Sequence, residues 1–376
     1  MLCSANNNTN RVFIMLNDRI EAPWLAAFEH TLGLCGLMPG DTVAILSESQ
    51  SREILLHLAE LALVGMGCHA FHVRIPTPVS NAPVPVRSTG ASNVLQHAGP
   101  AIQALAGSTL VLDCTVEGLL HAPELPQILQ GGARVLMVSN EHPEILTRLA
   151  PDESLTRKVK AATKRCKQAS TMRVVSAAGT NLAVDIKSAP TAGVWGYTDR
   201  PGTLAHWPAG VVVCFPQQGS TNGTLVLDAG DINLTFKRYL ERPVTLTIEN
   251  DFVTNIEGQG TDAELMRRYW AAWNDKNAYA VSHVGFGMNP KARYEALTMY
   301  DQRDTNGTEL RAFAGNFFKE AEDPGKYLGK EAALQRYTYF SPAVGYEISD
   351  EWSVGFGVQL SHQGFYIAQH NRAPNL

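Results

Sequence analysis

An α/β fold with a mostly parallel N-terminal sheet and flanking helices, followed by a β-rich α+β second domain, is what this 376-residue sequence predicts. Three observations lead there. Up to about residue 150, short apolar strands alternate with amphipathic segments, the order that builds parallel sheets covered by helices. A basic helix from about Leu155 to Ser170 then interrupts the pattern. Beyond it the strands lengthen and alternate apolar with polar residues around tight turns, the mark of half-buried pairs.

Taken in order, "DTVAIL" reads as the first strand. "SESQSREILLHLAELALVGMG" opens with capping serines, carries apolar residues at helical spacing and stops at Gly65 and Gly67. The strand "CHAFHVRI" and a proline-rich loop follow, then a helix around "ASNVLQHAGPAIQAL", the strand "STLVLDC", the helix "PELPQILQGG" and the strand "ARVLMVSN". Past the basic helix, "GTLVLDAGDINLTF" and "RPVTLTIENDFVTNIEG" alternate as strands, the second around an "END" turn. The helix "DAELMRRYWAAWN" then leads to "AYAVSHVGFGMNP". These shifts divide the chain into an α/β domain at 1–155 and a β-rich domain at 156–318, ahead of a tail at 319–376.

Composition narrows the function classes. With 45% hydrophobic residues the chain can bury a large core. The net charge is −5, and its main basic run, "TRKVKAATKRCK", has no interleaved aromatics on which bases could stack, so it reads as a solvated helix face and no nucleic-acid partner is expected. Six scattered cysteines, Cys3, Cys35, Cys68, Cys114, Cys166 and Cys214, form no CxxC pair and point to a reducing, cytoplasmic compartment. The N-terminus lacks the apolar core of an export signal, no run is long enough for a membrane span, and neither GxGxxG nor GxxxxGK[ST] occurs.

Histidines are the candidate chemical groups. His283 stands where a strand enters a Gly-x-Gly turn, a place where backbone can approach a ligand and imidazole can bind divalent iron or zinc, or where a core histidine is satisfied by backbone. His121, just after "STLVLDC", falls near the carboxyl edge of the sheet, where parallel sheets bind ligands; it reads as a general base or as a loop histidine. "YTDRPGTLAHWPAG" packs His206 and Trp207 into a loop that is either a site or a rigid turn. His69 and His72 face opposite ways on one strand, and Asp228 and Asp231 in "LDAGDI" are read as turn residues.

The strings "GLLHAPE", "GYTDRPGTLAHWPAG", "GTLVLDAGDI", "YAVSHVGFGMNPKA" and "RAFAGNFF", in this order, resemble the 2,5-dihydroxypyridine 5,6-dioxygenase family over roughly Asp41 to Phe318. The resemblance implies a fold related to thermophilic-type metalloaminopeptidases and a non-haem Fe(II) centre that cleaves a pyridine ring with O2 to an N-formyl amide acid. In that family a histidine, a serine and an aspartate hold the iron and a second histidine acts as base. By motif, His283 matches the ligand, His121 the base, and His206 a site histidine, with Trp207 beside it as a substrate contact. The implied partners are a small aromatic substrate and O2, with no membrane, in a homo-oligomer.

The pattern breaks after "GNFF". The family's serine position falls on Glu320 and no aspartate strand follows. The tail instead resembles a hairpin of a long-chain fatty-acid outer-membrane transporter, "SPAVGYEI" and "SVGFGVQLS" about an "SDEW" turn, which alone cannot close a barrel. It is therefore read as foreign to the preceding domain, leaving Glu320, Glu322, Asp323 or His362 as substitute ligands. The leading expectation is an Fe(II) ring-cleaving dioxygenase; the alternatives are a two-metal aminopeptidase-type hydrolase and an inactive scaffold.

Overall fold

The computed structural model describes residues 19–79, 83 and 92–299, together with the backbone of two short strands at 357–360 and 365–368. The first half runs α1 (Ala22–Leu34), β1 (Thr42–Glu48), α2 (Glu53–Gly65), β2 (His69–Ile75), α3 (Gly99–Ala106), β3 (Leu110–Asp113), α4 (Leu125–Gln130), β4 (Arg134–Met137) and α5 (Pro143–Arg148). The helix expected over "ASNVLQHAGPAIQAL" starts only at Gly99: His97 turns the chain at φ +61°, and Pro100, which cannot continue a helix from within, occupies its first turn.

The basic segment forms α6 (Glu153–Gln168). Asp152 caps it, accepting from the Leu155 amide at 2.8 Å, and Leu155, Thr156, Val159 and Ala162 form the buried stripe while Arg157, Lys160, Lys164 and Lys167 face solvent. Next come β5 (Thr171–Val175), β6 (Asn181–Asp185), β7 (Thr191–Val194), β8 (Leu204–His206), β9 (Val211–Cys214), β10 (Thr221–Leu227), β11 (Ile232–Asn233), β12 (Arg238–Tyr239), β13 (Val244–Glu249), β14 (Phe252–Gly258), α7 (Thr261–Ala272) and β15 (Val281–Gly287). The strands at the end are β16 (Gly357–Leu360) and β17 (Phe365–Ala368).

Three sheets result. The first is wholly parallel, in the order β2-β1-β3-β4-β8. Its last strand, β8, is contributed by residues beyond α6, so the chain returns to the first sheet after laying down β5 and β6 of the second and β7 of the third. One face packs Val43, Ile45, Leu112, Leu136 and Trp207 against α1 and α2, and the other packs Ala44, Leu46, Val111 and Val135 with Ile102 and Ile128 of α3 and α4. The second sheet, β14-β13-β10-β6-β5, is antiparallel; Asn250 and Asp251, at φ 49° and 73°, make the expected turn between β13 and β14. The third orders β12-β11-β17-β16-β15-β9-β7. Leu225, Leu246, Met266, Trp270, Val284 and Phe286 form part of the core that these two sheets share with α6 and α7.

The reading of the tail needs correction. The first strand expected there, at 341–348, lies outside the described residues, and the hairpin is β16 with β17, further along. Its two strands pair with β15 on one side and β11 on the other, inside the seven-stranded sheet. Without them β15 would present a row of unpaired amides and carbonyls, and satisfying those groups is what the tail backbone does.

Candidate active site

Across the parallel sheet, Leu46, Asp113, Met137 and His206 stand in one register on β1, β3, β4 and β8. In-register residues of a parallel sheet share a face, so Asp113, Met137 and His206 extend the Leu46–Val111–Val135 layer to the carboxyl edge. Glu48, two residues beyond Leu46, joins them and is only 2% exposed.

Asp113 is fully buried and organises the loop that leaves its strand. One carboxylate oxygen accepts from the Thr115 amide at 3.0 Å and the Thr115 hydroxyl at 2.6 Å, and the other accepts from the Leu119 amide at 2.7 Å. Glu48 accepts from the Val116 amide at 2.6 Å. At Gly118, φ +78°, a Cβ would lie 2.2 Å from Met137 Sδ and 2.7 Å from Ser139 Oγ, so only glycine lets the loop lie this close on β4. His121 ends this loop in an exposed turn. Burial pushes the Asp113 carboxyl up to about 6 against the lowering effect of its three donors, and the nearby Glu48 charge adds to the rise.

His206 is buried, with Nδ1 2.6 Å from the Pro208 carbonyl oxygen. A carbonyl only accepts, so Nδ1 carries the proton and the lone pair of the neutral ring is on Nε2, the atom suited to take a proton or bind a ligand. Trp207 does not face that side. Alternation turns its ring to the opposite layer, where it is 1% exposed, packs edge-on against Phe28 at 5.1 Å and donates its indole N–H to the Leu149 carbonyl at 3.1 Å. The substrate contact expected of Trp207 is thus replaced by a core position that anchors the end of β8.

His283 stands elsewhere. It is 5% exposed on β15, with Phe215 edge-on to its ring at 5.4 Å and Gln359 of β16 opposite it in register. Val211, which follows the His206–Gly210 segment, pairs with Gly287, whereas Val284 pairs with Cys214. His283 therefore sits four strand positions from the Gly287 level, roughly 13 Å along the strand. The fold brings His121 and His206 to one sheet edge and places His283 on another sheet.

Among the described residues, no group of three histidine, cysteine, aspartate or glutamate side chains is close enough to hold a metal ion. The residues present here therefore do not make a metal site by themselves; His283 offers one imidazole, and Glu320, Glu322, Asp323 and His362 lie outside the described residues. Asp231 is a turn residue as read: it is buried, its carboxyl is pushed well above the usual range by burial, and it accepts from the Asp228 amide at 2.7 Å. Glu48 and Asp113 went unsingled in the sequence. Their signal was an acid closing an otherwise apolar strand, "VAILSE" and "TLVLD", at the end where such sheets bind ligands.

Against known proteins, a family model described as 2,5-dihydroxypyridine 5,6-dioxygenase matches residues 23–321. A 2,5-dihydroxypyridine 5,6-dioxygenase of Pseudomonas putida is 36% identical over 294 residues, 77% of this chain and 82% of the relative. The solved structure of 2,5-dihydroxypyridine dioxygenase from P. putida KT2440 superimposes with a TM-score of 0.73 at 35% identity, covering 77% of this chain and 83% of that one. Wild-type AmpT from Thermus thermophilus, at 15% identity and a TM-score of 0.53 over 93% and 98% of the two chains, shares the fold alone.

Proposed function

Since this chain belongs to the 2,5-dihydroxypyridine 5,6-dioxygenase family, we propose that it is an enzyme that opens a dihydroxylated pyridine ring, or a related hydroxylated N-heteroaromatic, with O2. The observation that carries this is the 36% identity spread over 294 residues, a span long enough to take in the carboxyl edge and the strand of His283 alike.

At the edge, His121 is assigned as the base that takes the proton of a substrate hydroxyl, leaving an electron-rich ring. Its exposed turn gives substrate access, and the Asp113 and Glu48 bonds to the loop before it hold that turn in place. His206, with its proton kept on Nδ1 by Pro208, presents Nε2 as an acceptor to the second polar group of the ring. Trp207 supports this arrangement from beneath. Fe(II) is the cofactor this reading calls for: when bound, it supplies the one-electron steps that let ground-state O2 react with a closed-shell ring. His283 is its assigned imidazole ligand.

The remaining parts of the reading are a division near residue 155, a cytoplasmic location and a homo-oligomeric state. The five described cysteines are free thiols, which suits a reducing compartment, and no helix among the described residues is long and apolar enough to cross a membrane. The likeness to AmpT concerns fold only and adds no argument for hydrolysis.

The test is anaerobic Fe(II) loading followed by O2 uptake with 2,5-dihydroxypyridine, alongside His283→Ala. Bound iron and uptake in the parent, both lost in the variant, are expected. A parent that binds iron yet consumes no O2 with any hydroxylated pyridine would sink the reading.

A further inference from the structure

We propose that Phe215 is a substrate-contact residue, the aromatic wall against which the hydroxylated N-heteroaromatic ring lies beside His283. The inference rests on the dioxygenase reading and adds to it the side chain that selects for a flat ring. Strand alternation brings the two side chains together. On β9 and β15, Val212, Cys214, Val284 and Phe286 are buried in the core shared with α6 and α7, with Val284 paired to Cys214 and Phe286 to Val212. The residues that alternate with them, Val213, Phe215, His283 and Gly285, therefore take the opposite face of the seven-stranded sheet.

On that face the Phe215 and His283 rings meet edge-on, their centroids 5.4 Å apart and their planes at 62°. The Phe215 amide donates to the Pro190 carbonyl at 2.9 Å, which fixes the end of β9 that carries the ring. The imidazole is 5% exposed and Phe215 39% exposed, so the open side of this pair of rings is the phenyl.

A lone exposed apolar side chain is ordinary on a protein surface. Phe215 differs in kind. Among the described residues it is the one aromatic side chain left exposed; the other phenylalanines, tyrosines and tryptophans are buried or half-buried, and the other exposed large apolar side chains are aliphatic or methionine. That single open ring touches the imidazole assigned to the metal. The dioxygenase reading seats a planar π-system beside His283, and aromatic rings pack on one another offset or edge-to-face with a gain beyond the area they bury. A phenyl ring gives that gain to a flat ring and withholds it from a saturated one. Phe215 thus selects the shape of the substrate, while His121 and His206 are assigned its polar groups.

The test titrates the full-length chain, loaded anaerobically with Fe(II), with 2,5-dihydroxypyridine by calorimetry. Without O2 there is no turnover, so the titration reads binding alone. Phe215→Leu, Phe215→Tyr and Leu61→Ala are compared with the parent, the last removing an exposed apolar side chain on α2. Phe215→Leu keeps an apolar side chain but no ring and should raise Kd by roughly 3- to 10-fold. Phe215→Tyr, which restores the ring, and Leu61→Ala should match the parent. Iron content and the thermal midpoint of Phe215→Leu should stay at the parent values, and once O2 is admitted its KM should rise while kcat holds. An unchanged Kd in Phe215→Leu, with a parent that binds the pyridine, would overturn the proposal and leave the dioxygenase reading standing. Loss of iron or of thermal stability in that variant would overturn it too, since the ring would then serve only to support His283. A parent that binds no hydroxylated pyridine overturns both.

Discussion

The carboxyl edge of the parallel sheet and the His283 strand of the seven-stranded sheet place their histidines by different means. At the edge, position is set close at hand: His206 is fixed by a carbonyl two residues away, and the loop leading to His121 is tied down by an aspartate six residues before Leu119. His283 stands among segments that are distant in sequence. Its surroundings are Phe215, at the end of a strand nearly seventy residues earlier, and Gln359, on a strand contributed by the tail. The histidines proposed to handle protons are thus held by local chemistry on a sheet edge, whereas the histidine proposed as a metal ligand lies where distant segments of the chain are brought together.

The sharpest break of that comparison is a pair of variants read for iron as well as turnover. His283→Ala is expected to lower both iron content and O2 uptake by on the order of 100-fold or more, because a ligand is lost. His121→Asn is expected to lower kcat by roughly 100-fold while iron stays at the parent level. If His121→Asn also empties the iron, the two regions are one site and the comparison fails.

The next effect concerns the edge alone. Because the Asp113 carboxyl rises from 3.8 to about 6 on folding, the unfolded chain has already lost this proton where the folded chain still holds it. Its contribution to stability is complete below pH 4 and is lost as pH climbs through about 6, by on the order of 3 kcal/mol. Asp113→Asn removes that slope. In denaturant titrations the variant should gain on the parent by about that amount between pH 4 and pH 7; parallel curves would show that Asp113 does not titrate in this window.

The smallest effect separates packing from contact. Trp207→Phe deletes the bond to the Leu149 carbonyl and part of the packing on Phe28, and should cost about 1–2 kcal/mol of stability. KM for the pyridine should stay at the parent value. A raised KM with unchanged stability would restore Trp207 to the substrate surface.

Much of the candidate site was legible as residue types and little of it as geometry. His121 could be placed near a carboxyl edge because "STLVLDC" is a short apolar run with a turn behind it. The core position of Trp207 could not be read, because loop composition does not say which face of a three-residue strand a side chain takes. Only pairing of β8 with β4 settles that His206 shares the Asp113 face and Trp207 the opposite one.

What the sequence determined by itself was what local physics decides. The strand and helix alternation, the capped basic helix with its outward charges and the Asn250–Asp251 turn follow from periodicity, side-chain caps and left-handed backbone preference, all within a few residues. Only the assembled fold sets the return of β8 to the first sheet and the insertion of β16 and β17 between β15 and β11. Each of these satisfies backbone groups or buries side chains across tens of residues. No pattern within one segment encodes such a partner, because the energy that selects it exists only once both segments are in place.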